Sequence, residues 1–179
     1  MADPALAKRF ELLVLPHMNS AFNVARWLTH NDQDAQDVVQ EAYVRAFRFF
    51  GGFRGEDARA WLLSIVRNTF YTWHQQNRGH AADTTVFEED MHSLEVDQAD
   101  RDDGPEAMLI RSQSQKRVHQ ALRRLRLEYR EVVVLRELEE LSYKEIAAIV
   151  GIPMGTVMSR LGRGRQQLAM LLAPTDQEA

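Results

Sequence analysis

Apolar residues recur along most of the chain at spacings of three and four, and strict alternation is scarce, so the pattern predicts an all-α fold. The stretch from Pro4 to Leu28 reads as one or two helices, with Phe10, Leu13, Ala21, Phe22 and Val24 available for burial. Asn31 or Asp32 can cap the next helix, whose apolar positions are Val38, Val39, Ala42, Tyr43, Ala46 and Phe47. Gly51, Gly52 and Gly55 break it. A further helix from about Asp57 to Asn77 carries Trp61, Leu62, Ile65, Val66, Thr69 and Trp73 on one broad face, with the two tryptophans expected in the core. From Gly79 to Gly104 the periodicity fades. It returns after Pro105, with Met108, Val118, Leu122 and Leu125 marking one helix and Val132, Val133, Leu135 and Leu138 another. The expected layout is a helical unit at 1–78, a linker at 79–106, a second helical unit at 107–172 and a tail at 173–179.

The end of the second unit is the most specific local pattern. Ser142-Tyr143-Lys144-Glu145 is a capping box, in which Ser142 accepts from the amide of Glu145 and Glu145 reaches back to Ser142. The helix it starts carries Ile146, Ala147, Ile149 and Val150 and stops at Gly151, the residue that tolerates a left-handed helix end. Ile152 and Pro153 make a turn, and a second helix begins near Met154. On a helical wheel Val157, Leu161, Gly164, Leu168 and Leu172 share one side, while Thr156, Ser159, Arg160, Arg163 and Gln167 share the other. Hydroxyl, guanidinium and amide groups on the open face of a helix-turn-helix suit the major groove, where Arg pairs with guanine edges. The plain alternative is a helical bundle with a solvated basic face.

Charge separates these readings better than the total does. The formal net charge is −4. Residues 1–78 carry 9 basic and 8 acidic side chains, 79–106 carry 1 and 10, and 107–172 carry 12 and 6. A near-neutral block, an acidic strip and a basic block follow one another, so the overall acidity conceals a cationic helix-turn-helix.

Three segments, in this order, resemble those of extracytoplasmic-function (ECF) RNA polymerase sigma factors. DAQDVVQEAYVRAFR, residues 34–48, looks like their region 2.2. FRGEDARAWLLSIVRNTFYTW, residues 53–73, is similar to regions 2.3 and 2.4, and RELEELSYKEIAAIVGIPMGTVMSRLGRGRQQL, residues 136–168, to region 4.2. The resemblance implies that Asp37, Gln40 and Glu41 dock on the polymerase clamp. It implies that Phe53, Arg54, Gly55, Glu56 and Asp57 form the loop that holds a flipped minus-ten base, with Asn68 on the helix behind it. Tyr143 and Lys144 match positions near minus-thirty-five phosphates, and Ser159, Arg160 and Arg163 fall where the family's recognition helix meets DNA. Met158 and Gly162 depart from the usual pattern. The resemblance further implies that the second unit sits on the polymerase flap, and that a separate anti-sigma protein exerts control.

The residues themselves agree with that assignment. Arg67, Asn68, Tyr71, His74, Gln75 and Arg78 form a polar, partly aromatic strip opposite the Trp61/Ile65 face, which suits single-stranded DNA because rings stack on bases. The acidic linker reads equally well as a mobile anion for a polymerase channel and as a solvated spacer.

Chemistry finds little purchase. The chain has no cysteine, and its six histidines fall into no metal-ligand spacing. The Gly51–Gly55 cluster lacks the Gly-Lys-Ser/Thr of a P-loop, and no nucleophile elbow occurs. No catalytic residue, metal, cofactor or small-molecule substrate is expected. Neither a membrane span nor a signal-peptide core is visible, so the expected location is the cytoplasm. The rival reading is a stand-alone helix-turn-helix regulator whose first half senses a ligand or dimerises.

Overall fold

The computed structural model describes residues 3–77 and 104–174. Among these residues every regular element is helical. Arg78, residues 79–103 of the expected 79–106 linker and residues 175–179 of the expected 173–179 tail lie outside the described residues.

The first unit contains α1 (Pro4–Leu13), a 3₁₀ turn (Leu15–His17), α2 (Met18–Thr29), α3 (Asp32–Phe49), a second 3₁₀ turn (Phe50–Gly52) and α4 (Ala58–Asn77). Asn31 caps α3 by accepting from the amide of Asp34 at 2.9 Å. Helices α2, α3 and α4 pack on one another around Val24, Leu28, Val38, Ala42, Leu62, Val66 and Phe70. Phe10 on α1 closes one end edge-on against Phe47 and Phe50, at centroid separations of 5.2 Å each, a geometry that suits ring quadrupoles.

The second unit contains α5 (Pro105–Arg124), α6 (Leu127–Val133), a π-turn that continues it (Val134–Leu138), α7 (Tyr143–Val150) and α8 (Met154–Leu172). The capping box at Ser142 and Glu145 is complete, and Gly151 ends α7 at φ 75°. Helix α8 seats Val157, Leu161 and Gly164 against α6 and α7. At Gly164 the helices approach so closely that a Cβ would lie 2.8 Å from Val133 Cγ2.

Some expectations of burial need correcting. Met108 is 65% exposed and Val118 37%, so neither enters the core that Ala121 and Leu122 of the same helix reach. Leu138 is 47% exposed, because the π-turn shifts the register of the α6 face just before it. Trp61 and Trp73 are half-buried and flank the first unit's core instead of filling it.

The two units are in contact. Helix α4 packs on α7, and α2 on α6. Trp27 of α2 lies 4.5 Å from the His119 ring of α5, centroid to centroid. The buried Arg130 of α6 reaches across to donate from Nη2 to the Leu28 carbonyl at 3.3 Å and from Nη1 to the Leu125 carbonyl at 3.3 Å. Burial lowers its pKa to about 10, which leaves it charged at neutral pH.

Candidate nucleic-acid interface

Asp37, Gln40 and Glu41 are all exposed on α3. The α-helical repeat places them on one strip, because Val38, Val39 and Ala42 turn the opposite side into the core. Glu41 accepts from Arg45 Nε at 2.9 Å, an i,i+4 pair. The strip borders an open groove of about 360 Å³ that α3 shares with Thr69, Thr72, Trp73 and Gln76 of α4. Its lining is mixed, with Asp37, Glu41 and Arg45 from α3 and the half-buried Trp73 from α4.

The 53–57 loop has a supporting side and a free side. Phe53 is only 6% exposed: it stacks on Phe50 at 5.8 Å and lies 4.8 Å from Trp61. Its expected place on a base-contacting surface is therefore corrected here, since the ring is part of the core that holds the loop. Gly55 covers that ring, where a Cβ would meet Phe53 Cε2 at 3.1 Å. Arg54 Nη1 donates to the Gly51 carbonyl at 3.0 Å and ties the loop to the preceding turn. Asp57 accepts from the amide of Ala60 at 3.0 Å at the start of α4. That backbone donation, with the Arg59 charge beside it, holds its carboxyl below the usual range. Glu56 remains exposed.

Along α4, Asn68 and Gln75 are exposed, and half-buried His74 stacks on Phe70 at 5.5 Å. Arg67 and Tyr71 depart from the expected open strip. Arg67 Nε and Nη2 donate to the two oxygens of Glu131 at 3.0 and 3.3 Å, and Tyr71 donates to Glu131 Oε2 at 3.1 Å. The Arg67 guanidinium also lies over the Tyr71 ring at 4.3 Å. Burial, then the Glu131 charge, pushes the Tyr71 phenol up to about 12, so it keeps its proton and donates.

The helix-turn-helix face is more open. Lys144, Ser159 and Arg163 are exposed, and Thr156 and Gln167 are half-buried. Ser159 donates to the Thr156 carbonyl at 3.1 Å. Tyr143 is half-buried under Arg136, whose guanidinium lies 5.0 Å from the ring centre. Arg160 leans toward the seam, with Nη1 3.9 Å from Glu131. Arg165 turns away from the groove-reading side to bind Glu137 at 2.7 Å, which raises its pKa. The residue that the sequence pattern missed is Glu131. It lies in the short, charged helix α6, LEYREVV, and carries no local signal of partners on α4.

Among the described residues, no group of three His, Asp or Glu side chains gathers to hold a metal ion. No helix among them is long and apolar enough to cross a membrane.

The second unit thus presents an outward-facing helix-turn-helix, and the first an exposed acidic strip on α3. The Sigma-70 region 2 family model matches residues 13–79 and the Sigma-70 region 4 family model matches residues 115–168. The chain is 38% identical over 175 residues to the RNA polymerase sigma-H factor of Pseudomonas aeruginosa, covering 96% of this chain and 90% of that protein. It is 34% identical to the ECF RNA polymerase sigma-E factor of Escherichia coli K12, covering 93% and 88% respectively. The fold is similar to the sigma factor RpoE of Bartonella quintana, solved in complex with the anti-sigma factor NepR. The TM-score is 0.72 at 28% identity, over 92% of this chain and 97% of that one. CnrH, solved with the cytosolic domain of CnrY, gives a TM-score of 0.64 at 26% identity over 97% and 91%. The chain belongs to the ECF sigma factors: it is an alternative RNA polymerase sigma factor that directs promoter-specific initiation.

Proposed function

We propose that the two units divide promoter recognition between them, acting by binding alone. The 1–78 unit docks on the polymerase clamp through Asp37, Gln40 and Glu41. Its 53–57 loop and the α4 residues Arg67, Asn68, Tyr71, His74, Gln75 and Arg78 hold unpaired minus-ten bases. Arg54 and Glu56 form the accessible rim of that loop, with Phe53 beneath them. The 107–172 unit sits on the flap and reads duplex minus-thirty-five DNA. Thr156, Ser159, Arg160, Arg163 and Gln167 face the groove, and Tyr143 and Lys144 flank it. Each unit alone has few phosphate contacts and thus weak, salt-sensitive affinity; carriage on one polymerase raises their joint effective concentration.

The observation that carries this reading is the seating of α8. Val157, Leu161 and Gly164 are buried, and Ser159 and Arg163 therefore project outward. Such a factor works in the cytoplasm, where promoter DNA and polymerase are found. The two solved sigma–anti-sigma pairs support control by a protein that covers the polymerase- or DNA-facing surfaces.

Run-off transcription with purified core polymerase tests the proposal. Asp37→Arg is expected to abolish core association, because it reverses charge at the centre of the α3 strip. Arg163→Ala is expected to keep core association and to lower promoter affinity by about tenfold, the loss of one bidentate base contact. Tight operator binding without polymerase, and no promoter transcript with it, would point instead to a stand-alone regulator.

A further inference from the structure

The open side of α8 is not uniform, and one strip of it is nearly bare. Gly155, Met158 and Gly162 follow one another at i, i+3 and i+7, so they line up along the helix. All three are exposed, and a Cβ added at Gly155 or Gly162 would meet nothing within 4 Å. Met158, at 56% exposed, is the strip's one side chain. On one side of it the helical wheel places Arg165, which Glu137 holds at 2.7 Å. On the other run the exposed hydrogen-bonding groups of Ser159 and Arg163. We propose that Met158 is a specificity-determining residue of the helix-turn-helix, its thioether end reading the C5-methyl group of a thymine in the minus-thirty-five duplex.

The chemistry of base edges selects this occupant. In the major groove guanine, adenine and cytosine are marked by hydrogen-bonding groups, and thymine alone adds a methyl group. A thioether has no donor and is only a weak acceptor, so opposite the other edges it would leave a polar group unpaired as water is expelled. Against a methyl group it removes apolar surface from water and strands nothing. The three rotatable bonds of the side chain let it settle on a methyl group whose place is not fixed in advance. The flanking glycines favour the contact, because without a Cβ at either the backbone of α8 can come close to the bases. Met158 and Arg163 are separated by about 7.5 Å along the helix, more than one base-pair step of about 3.4 Å, so they address different base pairs. This inference rests on the proposed function for the seating of α8 in duplex DNA.

The test uses holoenzyme, the full chain on core polymerase, to select promoters from a library of randomised duplexes. The parent, Met158→Ala and Met158→Arg are carried in parallel; the side chain is exposed, so neither substitution disturbs the core. The parent is expected to enrich a minus-thirty-five motif with one thymine whose preference disappears in Met158→Ala. In Met158→Arg the preference at that position should pass to guanine, whose O6 and N7 accept from a guanidinium. Deoxyuridine is then placed at that thymine, which removes the methyl group and nothing else. Affinity of the parent holoenzyme should fall about fourfold, the equivalent of one buried methyl group, and that of Met158→Ala should not change. A motif that Met158→Ala leaves unaltered would overturn the thymine contact and leave the proposed function standing. So would equal binding of the thymine and deoxyuridine duplexes by the parent, or the same loss on deoxyuridine in Met158→Ala as in the parent. Enrichment of no motif at all would sink the proposed function and the thymine contact together.

Discussion

Helices α4 and α8 are the two elements assigned to DNA, and they differ in their arginines: both described arginines of α4 meet buried carboxylates, whereas α8 pairs Arg160 and Arg165 but leaves Arg163 open. On α4, Arg59 and Arg67 are spent on buried carboxylates of the other unit. On α8, Arg163 is exposed, and among the described residues no ion pair engages it. Both helices are anchored alike, α4 by Leu62, Leu63 and Val66 and α8 by Val157 and Leu161. The difference arises outside the core. It lies in which helix faces the seam, and it teaches that a cationic strip on a helix is not yet an available surface.

The sharpest way to break this comparison is to truncate one arginine on each helix and follow urea denaturation. Arg67→Ala leaves Glu131 buried and undercompensated, with an expected loss of about 3–5 kcal/mol. Arg163→Ala removes an exposed side chain and should fall within about 0.5 kcal/mol of the parent. Equal effects would mean that the α4 pairs do not contribute to the packing of the two units. Next in size is Gly164→Ala. Its Cβ would press on Val133 and, at 3.3 Å, on Tyr129, so α8 must move off α6, at an expected cost of about 1–3 kcal/mol.

His30 probes the seam by titration. It ends α2 in the left-handed conformation at φ 58°. Burial first, then the Arg130 and Arg123 charges, pushes its pKa down to about 3, and its Nε2 finds no hydrogen-bond partner among the described residues. The folded imidazole stays neutral while the unfolded one binds a proton near pH 6.5. Stability therefore falls as pH drops from about 6.5 toward 3, by at most about 1.4 kcal/mol per pH unit. His119, lowered by burial, acts in the same direction. His30→Asn, which tolerates the same backbone, should flatten the slope measured by denaturation at successive pH values. The smallest effect belongs to Gly162→Ala on the open side of α8. Nothing lies within 4 Å of the added Cβ, so the helix should gain about 0.5–1 kcal/mol, in contrast to Gly164 two residues on.

Much of the architecture was legible because its rules are local. Asn31, Ser142, Glu145 and Gly151 act within one helical turn of themselves, and the wheel of α8 follows from its own spacing. Family resemblance then gave the order of the units and the candidate surfaces. Sequence reasoning erred where a side chain's fate depends on distant neighbours. Phe53 lies in the loop as expected, but Phe50 and Trp61 draw its ring inward. Met108 and Leu138 have core-like spacing and lie open, since spacing states which face a residue shares and not what covers that face.

What the chain settled by itself is the helical pattern, the helix-turn-helix with its cap and turn, and the separation of charge into blocks, all consequences of short-range sterics and periodicity. Only tertiary structure decided which charges meet. Arg67 and Glu131 are 64 positions apart, and Arg59 and Glu139 are 80. No local preference couples residues so far apart, and their pairing follows from the burial of both carboxylates where α4 meets the second unit, a place where an unpaired charge costs several kcal/mol.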